Sequence, residues 1–290
     1  MITLPSGLPA ARILDAEGLT RTGRPGSGRA LRIALVNLMP RKEATELALA
    51  RLLAGGGCDV ELTLVVPGSY APRTANPAHL ARFYRRWPQV RDEAFDGLVV
   101  TGAPVETLPF TDVVYWREMR EIVTWARANA GSTLYICWAA QAALNINRGI
   151  PKTLLPAKAF GVFEQHVLAP ASPLTMGLGP RFPAPVSRHA GVCETALAAC
   201  GLAPLARSAE GGACLVDDPD NRAVLMFDHL EYDADTLALE YERDLAAGKP
   251  AHPPLMARPG WSWRPYAALF FRNWLDRVEA CRALRPAAAA

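Results

Sequence analysis

Residues 133–145 read TLYICWAAQAALN, an apolar run that changes at once into a stretch with helical spacing. Apolar runs of the same kind occur at four other places: 31–38, 60–66, 97–102 and 223–227. They are continuous rather than alternating, which is typical of strands buried on both faces of a parallel sheet. Helices are predicted between them over Thr45 to Leu53, Tyr115 to Ala128, Ala139 to Asn145 and Asp233 to Ala247. Strands that alternate with helices predict an α/β fold, a parallel sheet flanked by helices.

The chain of 290 residues is half apolar and 20% charged, as an ordinary globular protein is. The first thirty residues end in a Gly- and Arg-rich string without a sustained period, so we predict an irregular N-terminal arm over 1–30. Organised structure is expected to begin at Leu31. We predict one α/β domain over 31–280, with its more loop-rich part at 171–222, and a C-terminal tail over 281–290.

Several classes of protein are disfavoured by composition. With 31 Lys and Arg against 28 Asp and Glu the net charge is only +3, and no basic stripe appears, so a nucleic-acid partner is not expected. No apolar run reaches the roughly 18 residues of a spanning helix, and the start does not resemble a signal peptide. We therefore expect no membrane association and a cytoplasmic location. The six cysteines include no C-x-x-C pair, and neither a metal nor a cofactor is expected.

In a sheet of this kind ligands bind beyond the carboxyl ends of the strands, and Cys137 lies at such an end. It closes the strand of residues 133–138, and a helix starts directly after it. A sharp strand-to-helix turn would place the thiol over helix N-terminal amides, including that of Trp138, which can hold an oxyanion. A buried, inert strand cysteine is the ordinary alternative. The position at the strand end favours a nucleophile.

A nucleophilic thiol gains from a neighbouring base, since a free thiol is only about 3% ionised at pH 7. His229 follows the last apolar run, and Glu231 stands two residues later. The carboxylate could orient the imidazole, which would complete a Cys-His-Glu constellation. Further on, Glu240 and Arg243 share a helix face and could hold a small amino acid, although spacing alone favours an idle surface ion pair.

Seven stretches closely resemble the homoserine O-acyltransferases of the methionine pathway, in the branch with a class I glutamine amidotransferase-like fold. They are NLMPRKEATE (37–46), FDGLVVTGAPVE (95–106), ICWAAQAALN (136–145), KAFGVFEQHVL (158–168), SRHAGV (187–192), HLEYDADTLALEYERD (229–244) and WSWRPYAALFFRNWL (261–275). The resemblance implies transfer of an acyl group from acyl-CoA to L-homoserine by a ping-pong mechanism. It implies a homodimer and no cofactor other than the co-substrate.

The resemblance also implies roles for individual residues. Cys137 is expected to carry the acyl thioester, with His229 as general base and Glu231 as its orienting partner. The positions that match the family's substrate-binding residues are Lys42, Lys158, Ser187, Glu240 and Arg243. Ser187 is further associated with substrate specificity.

The acyl donor is expected to depend on Glu106, because glutamate there accompanies acetyl-CoA in the family and glycine accompanies succinyl-CoA. A carboxylate would repel the distal carboxylate of a succinyl group and fill its space. We therefore predict acetyl-CoA as donor. A glutamate that points to solvent would leave the donor undetermined.

One departure from the family pattern concerns the base. The usual Gly-His-Pro-Glu segment reads Asp228-His229-Leu230-Glu231, with an extra acid beside the histidine. Three alternatives stay open: a succinyl donor or serine acceptor, a glutamine amidotransferase-like hydrolase, and a non-catalytic binding protein. The flanks of Cys137, Tyr135 and Ala139, lack the glycines usual in the amidotransferase turn.

Overall fold

A computed structural model describes residues 1–21, 30–72, 75–249, 251–256 and 261–284. Its strands are β1 (Ile2–Thr3), β2 (Leu31–Val36), β3 (Val60–Val66), β4 (Arg85–Arg86), β5 (Gly97–Val100), β6 (Ser132–Ile136), β7 (Lys152–Val167), β8 (Arg181–Val192), β9 (Pro204–Ser208), β10 (Gly212–Asp218), β11 (Ala223–Met226) and β12 (Leu255–Met256). Its helices are α1 (Pro9–Ala16), α2 (Lys42–Ala54), α3 (Pro77–Phe83), α4 (Trp87–Val90), α5 (Trp116–Asn129), α6 (Trp138–Arg148), α7 (Glu194–Ala199), α8 (Thr236–Ala246) and α9 (Arg264–Ala283).

The centre of the sheet is five parallel strands in the order β3-β2-β5-β6-β11. These are the five predicted apolar runs, and the four predicted helices are also present as α2, α5, α6 and α8. Both faces of β2 are buried: Ile33 and Leu35 pack on one side of the sheet, and Ala34 and Val36 pack on the other. The continuous apolar pattern therefore has the cause that was inferred, and the α/β fold is confirmed.

Helices cover the two faces of the sheet. On one side α1, α2 and α9 bury apolar residues, with Phe271 and Trp274 of α9 inaccessible to solvent. On the other side α5 and α6 do so, through residues such as Ile122 and Trp138. Among the described residues, no helix combines the length and the apolar character needed to cross a bilayer.

An antiparallel extension continues the sheet from β11 through β10, β9 and β7, with β8 paired to β7. The β7–β8 pairing breaks between Leu154 and Ala159, so the stretch that contains Lys158 bulges out of the ladder. Strands β8, β9 and β10 lie in the region 171–222 that was described as rich in loops. Strand β8 contains Pro, Ala and Ser residues rather than a continuous apolar run, so the sequence did not indicate a strand there.

The expectation of an irregular arm before Leu31 is wrong for most of the arm. Strand β1 pairs in parallel with β3, and Ile2, Leu8 and Leu14 are completely buried. A two-residue strand and an eight-residue helix have no long period to detect, and packing against α2 and the sheet stabilises them. Residues 22–29 of the predicted arm lie outside the described residues. At the other end α9 runs past the predicted boundary at 280 to Ala283, and 285–290 of the predicted tail lie outside the described residues.

Strand β12 pairs with β7 at Gly161, where only a glycine fits. The φ of Gly161 is 152°, and a β-carbon there would collide with the backbone of Leu255. This close approach fixes the segment that contains Ala251 and His252 beside the bulged part of β7.

Candidate active site

Cys137 lies in the sharp turn between β6 and α6 that the sequence predicts. Its φ of 51° and ψ of −114° are strained for a residue with a side chain, and among the described residues only Arg222 is another non-glycine residue with positive φ. Such strain costs on the order of 1–3 kcal/mol and is concentrated at functional sites. The turn is fixed from both sides: the Cys137 N–H donates to the carbonyl of Met226 at 2.7 Å, and the Cys137 carbonyl accepts from Ala140 N–H at 3.0 Å. This is the geometry of a nucleophile turn.

His229 follows β11 and is held rigidly. Its Nδ1 lies 2.7 Å from Oε1 of Glu231, and its backbone N–H donates to the carbonyl of Pro185 at 2.8 Å. The ring of Tyr232 stacks on the imidazole, with centroids 4.2 Å apart. Because Glu231 binds Nδ1, the other ring nitrogen is left to face the nucleophile.

Gly102, directly after β5, lets Cys137 and His229 meet. A β-carbon at this glycine would lie 3.2 Å from Cβ of Cys137 and 3.7 Å from Cε1 of His229. The thiol and the imidazole lie close enough for each to shift the pKa of the other. The sequence analysis did not single out this glycine; its signal was a glycine at the carboxyl end of a buried strand.

The protonation of the pair follows from burial and charge. Burial raises the pKa of the Cys137 thiol, while the positive charge of His229 acts in the opposite direction. Burial also disfavours the charged form of His229, but the Glu231 carboxylate and the Cys137 thiolate outweigh it and raise the pKa of His229 well above its usual range. A thiolate is therefore favoured here only while His229 holds the proton, which suits a nucleophile with an attached base.

The side chain and the backbone N–H of Trp138 lie in different environments. Its indole is completely buried against Tyr115 and Phe110 and belongs to the core. Its N–H is the first of α6, so no carbonyl of the helix accepts from it. That N–H is a suitable oxyanion donor beside the thiol.

Cys137 and His229 open onto a cavity of about 710 Å³ at the carboxyl edge of the sheet. The predicted substrate-binding and specificity residues that line it are Glu106, Lys158, Ser187, Glu240 and Arg243. They come from the β5–α5 loop, the bulge of β7, strand β8 and helix α8. The structure thus brings together residues that are up to 137 positions apart in the sequence, from Glu106 to Arg243.

Glu240 is held by two hydroxyl groups. Ser187 Oγ donates to Glu240 Oε2 at 2.6 Å, and Tyr232 Oη donates to Oε1 at 2.7 Å. Arg243 instead contacts Asp244 at 2.9 Å. The interpretation of Glu240 and Arg243 as an idle surface ion pair is therefore wrong, because tertiary contacts on β8 and at Tyr232 recruit Glu240 to the cavity. Tyr232 itself was missed by the sequence analysis.

Glu106 is also turned inward rather than toward solvent. Its Oε2 accepts a hydrogen bond from the backbone N–H of His189 at 2.8 Å. Burial raises the pKa of Glu106, against the effects of that hydrogen bond and of the positive charges of His189, His229 and Lys158. A residue in this position can determine which acyl group fits beside Cys137.

Lys158 and Lys42 have different positions relative to the cavity. Lys158 Nζ lies 3.1 Å from Asp244 and 4.0 Å from the centre of the Phe160 ring, at the cavity wall. Lys42 does not line the cavity, so its prediction as a substrate-binding residue is not supported by the geometry. It begins α2, where Nζ donates to the carbonyl of Asn37 at 2.6 Å, and burial lowers its pKa to about 8 although Glu46 opposes this.

The extra acid Asp228 faces away from the cavity. It is completely buried and lies 3.4 Å from the guanidinium of Arg188, which donates to the carbonyls of Ala213 and Gly211. Burial raises the pKa of Asp228, against the charge of Arg188. The pair connects the residue before the base to β8. Among the described residues, no group of His, Cys, Asp and Glu side chains has the arrangement of a metal site.

A strand-end cysteine beside a His-x-Glu pair on a parallel sheet is the arrangement of the class I glutamine amidotransferase-like fold. Solved structures agree on the fold. A glutamine amidotransferase from Thermotoga maritima aligns over 87% of this chain and 99% of its own, with a TM-score of 0.58 and 11% identity. A glutamine amidotransferase from Methylobacillus flagellatus aligns over 91% and 98%, with a TM-score of 0.54 and 13% identity.

Sequence comparison is more specific. A family model for homoserine O-succinyltransferase matches residues 1–281. Proteins named homoserine O-acetyltransferase are 47% identical in Rhizorhabdus wittichii, over 96% of this chain and 90% of that protein, and 46% identical in Synechococcus elongatus, over 95% and 96%. One from Brucella abortus is 44% identical over 96% and 95%. The chain belongs to this family of homoserine O-acyltransferases, as the sequence motifs predict.

Proposed function

We propose that this acyltransferase moves an acetyl group from acetyl-CoA to the hydroxyl of L-homoserine through a thioester on Cys137, as a step of methionine biosynthesis. One observation carries the proposal: a thiol at a strained turn lies beside His229, which Glu231 orients, and both open onto a cavity lined by groups of both charges. The reaction uses acetyl-CoA as co-substrate and no other cofactor. A homodimer and a cytoplasmic location are part of the same proposal, from family membership.

The first half-reaction forms the acyl-enzyme. His229 takes the thiol proton as Cys137 Sγ attacks the acetyl carbonyl, and the Trp138 N–H stabilises the oxyanion. The carbon–sulfur bond to CoA then breaks, and His229 returns the proton to the CoA thiolate. One thioester replaces another, so the acetyl group keeps its activation.

The second half-reaction transfers the group to homoserine. The Glu240 carboxylate, held by Ser187 and Tyr232, would bind the α-ammonium group, and Arg243 would bind the α-carboxylate. His229 takes the hydroxyl proton as the oxygen attacks the thioester carbonyl, and the Cys137 thiolate leaves and recovers that proton. Burial of the pair limits the access of water, which would otherwise hydrolyse the intermediate.

The choice of acetyl over succinyl rests on Glu106. The family model carries the succinyl name, whereas the similar proteins from three bacteria carry the acetyl name. Burial raises the pKa of Glu106, while the His189 N–H and nearby positive charges oppose this shift and support the carboxylate form, which would repel a succinyl carboxylate. The side chain also occupies space that a longer acyl group requires.

A donor and acceptor panel tests the proposal. Acetyl-CoA and succinyl-CoA are each combined with homoserine and serine, and kcat/KM is measured for the wild type, Glu106→Gly and Glu106→Gln. We expect the wild type to prefer acetyl-CoA and homoserine, and Glu106→Gly to gain activity with succinyl-CoA by at least about tenfold. Glu106→Gln keeps the volume without the charge and so separates repulsion from steric exclusion.

Intact-mass spectrometry tests the reaction class. Mixing with acetyl-CoA alone is expected to add about 42 Da to the chain, and the addition should disappear when homoserine follows. A chain that releases ammonia from glutamine and gains no acetyl group would instead be a glutamine hydrolase. A wild type that prefers succinyl-CoA would contradict the donor assignment while leaving the mechanism in place.

A further inference from the structure

The β5–α5 loop that carries Glu106 has little packing of its own. Four of its residues, Pro104 and 107–109, are exposed to solvent. Its backbone hydrogen bonds include short-range ones, such as that from the Leu108 N–H to the carbonyl of Val105 at 3.1 Å. Turns of this kind shape a loop but do not fix it relative to the sheet, so contacts from other elements must do so.

Lys152 supplies two such contacts. It is the first residue of β7, and its backbone is paired with Val192 of β8. Its Nζ donates to the carbonyl of Glu106 at 2.6 Å and also to the carbonyl of Leu108. The same Nζ lies 4.7 Å from the centre of the Phe110 ring. An ammonium group has three donors, so two carbonyls and an aromatic face give each of them a partner.

The side chain of Glu106 is held by the neighbouring strand. Its Oε2 accepts from the N–H of His189 on β8 at 2.8 Å. The backbone of Glu106 is thus bound from β7 and its carboxylate from β8, and these two strands are paired with each other. Glu106 lines the catalytic cavity, whereas Lys152 does not. Lys152 can therefore affect a bound acyl group only through the loop.

The environment of Lys152 is specific for a cation. Its side chain is half-buried, and burial lowers its pKa while the negative charge of Glu106 acts in the opposite direction. On the aromatic side the partner is fixed as well, because the Phe110 ring stacks on Trp116 at the start of α5 with centroids 4.8 Å apart. An uncharged apolar chain of similar length would fill the space but would bind neither carbonyl.

We propose that Lys152 is a positioning residue for donor selectivity, which fixes the β5–α5 loop and thereby keeps the Glu106 carboxylate where a longer or charged acyl group would lie. The inference rests on the proposed acetyl transfer and on the role of Glu106 in it. A loop released from β7 lets Glu106 move aside and admits a succinyl group. An acetyl group needs no such space, so its transfer depends much less on Lys152.

Lys152→Met tests this through the ratio of kcat/KM for acetyl-CoA to that for succinyl-CoA, with homoserine as acceptor. We expect the ratio to fall about tenfold, while kcat/KM for acetyl-CoA and KM for homoserine stay within about twofold of wild type. Lys152→Arg keeps the charge and the donors in a different shape, so its ratio should stay within about threefold of wild type.

A double-mutant cycle separates positioning from a general effect on the fold. In Glu106→Gly there is no carboxylate to position, so adding Lys152→Met should leave the ratio unchanged. Arg86→Met is the matched control. Arg86 also donates from an exposed position to a loop carbonyl, that of Gly68 at 2.8 Å, and it does not line the catalytic cavity. Its removal should leave the ratio as in the wild type.

Three results would overturn the inference: an unchanged ratio in Lys152→Met, an equal fall when Glu106 is already glycine, or an equal fall in Arg86→Met. Circular dichroism checks that each variant folds. If Lys152→Met does not fold, Lys152→Gln decides, since it keeps a polar end without the charge; a fall of about threefold or more supports the proposal, and a smaller one overturns it. A wild type that prefers succinyl-CoA would overturn the proposed donor itself, which is a different result.

Discussion

The parallel half of the sheet and its antiparallel extension contribute differently to the site. The parallel strands β5 and β6 are followed by Gly102 and Cys137, the latter being the proposed nucleophile. The antiparallel strands β7 and β8 contribute Lys158, Ser187 and the N–H that binds Glu106. Strand β11 pairs in parallel with β6 and antiparallel with β10, and it positions His229 between the two halves.

The proposed nucleophile thus lies in the parallel half, whereas several of the proposed substrate-binding groups lie in the extension. The chain shares its fold with solved amidotransferases, and one fold can carry several chemistries. The extension and α8 surround that nucleophile with groups suited to particular substrates. Substitution of the site residues in the parallel half should therefore abolish acetylation of Cys137. Substitution of the site residues in the extension should leave that acetylation intact.

The largest effect is expected for Cys137→Ala. Removal of the nucleophile should lower kcat by a factor on the order of 10⁴ and abolish the mass gain from acetyl-CoA. The circular dichroism spectrum and the melting temperature should stay close to those of the wild type, because alanine keeps the β-carbon and therefore the backbone strain at this position. Cys200→Ala is the control, because this thiol is partly buried and does not line the catalytic cavity. Turnover that survives in Cys137→Ala would contradict the covalent route.

Glu231→Gln should have the next largest effect, at the boundary between the halves. The Glu231 carboxylate raises the pKa of His229, so its neutralisation should lower that pKa. Since His229 must be neutral to accept the homoserine proton, the acidic limb of the transfer step should move to lower pH while the maximal rate falls about a hundredfold. The pH profile of transfer from pre-formed acetyl-enzyme measures this. An unmoved acidic limb would show that Glu231 does not control the base.

A matched pair of glycines compares the two halves directly. In Gly102→Ala the new β-carbon lies 3.2 Å from Cβ of Cys137, so the nucleophile must shift, and kcat should fall about tenfold or more. In Gly191→Ala, on β8, the new β-carbon makes only an ordinary contact of 3.5 Å with Leu155. That variant should keep kcat within about twofold of wild type. Equal losses in both variants would remove the distinction between the halves.

Lys42→Met should have the smallest effect on activity and a measurable one on stability. The pKa of Lys42 is about 8 in the folded chain against 10.5 for an ordinary lysine, so its charged form is disfavoured by folding. The destabilisation is fully present below pH 8 and vanishes as pH rises toward 10.5, so wild-type stability should increase over that window. Lys42→Met should lack this increase, by urea unfolding at several pH values. A large rise in KM for homoserine would instead restore Lys42 as a substrate-binding residue.

The parallel half was predictable because its signals are local. Runs such as 133–138 are apolar on both faces, and a cysteine or histidine directly after such a run lies at a sheet edge whatever the tertiary details. The amphipathic spacing of α5 and α6 is equally local. The fold class, and the positions of Cys137 and His229 at one edge of the sheet, therefore follow from short stretches of sequence.

The extension was not predictable in the same way, because β7, β8 and β9 do not form the continuous apolar runs of the parallel half. Nothing near Ser187 indicates that its hydroxyl meets Glu240, 53 positions later. Spacing alone made Glu240 and Arg243 a surface pair, and only the family resemblance pointed to their role. Gly102 and Tyr232 act through tertiary contacts that no local pattern encodes, and the first helix is too short to show a period.

Gly161 bears on how much of the acetyl-enzyme would be lost to hydrolysis. Because β12 can pair with β7 only beside a residue without a side chain, a single methyl group at Gly161 would loosen the segment that contains His252, which lines the catalytic cavity. Admitting solvent in this way would leave the acetyl-enzyme able to form but prone to leak, so that acetyl-CoA is consumed without O-acetylhomoserine. In the proposed mechanism, the ratio of acyl transfer to hydrolysis would then depend on the absence of a side chain at Gly161.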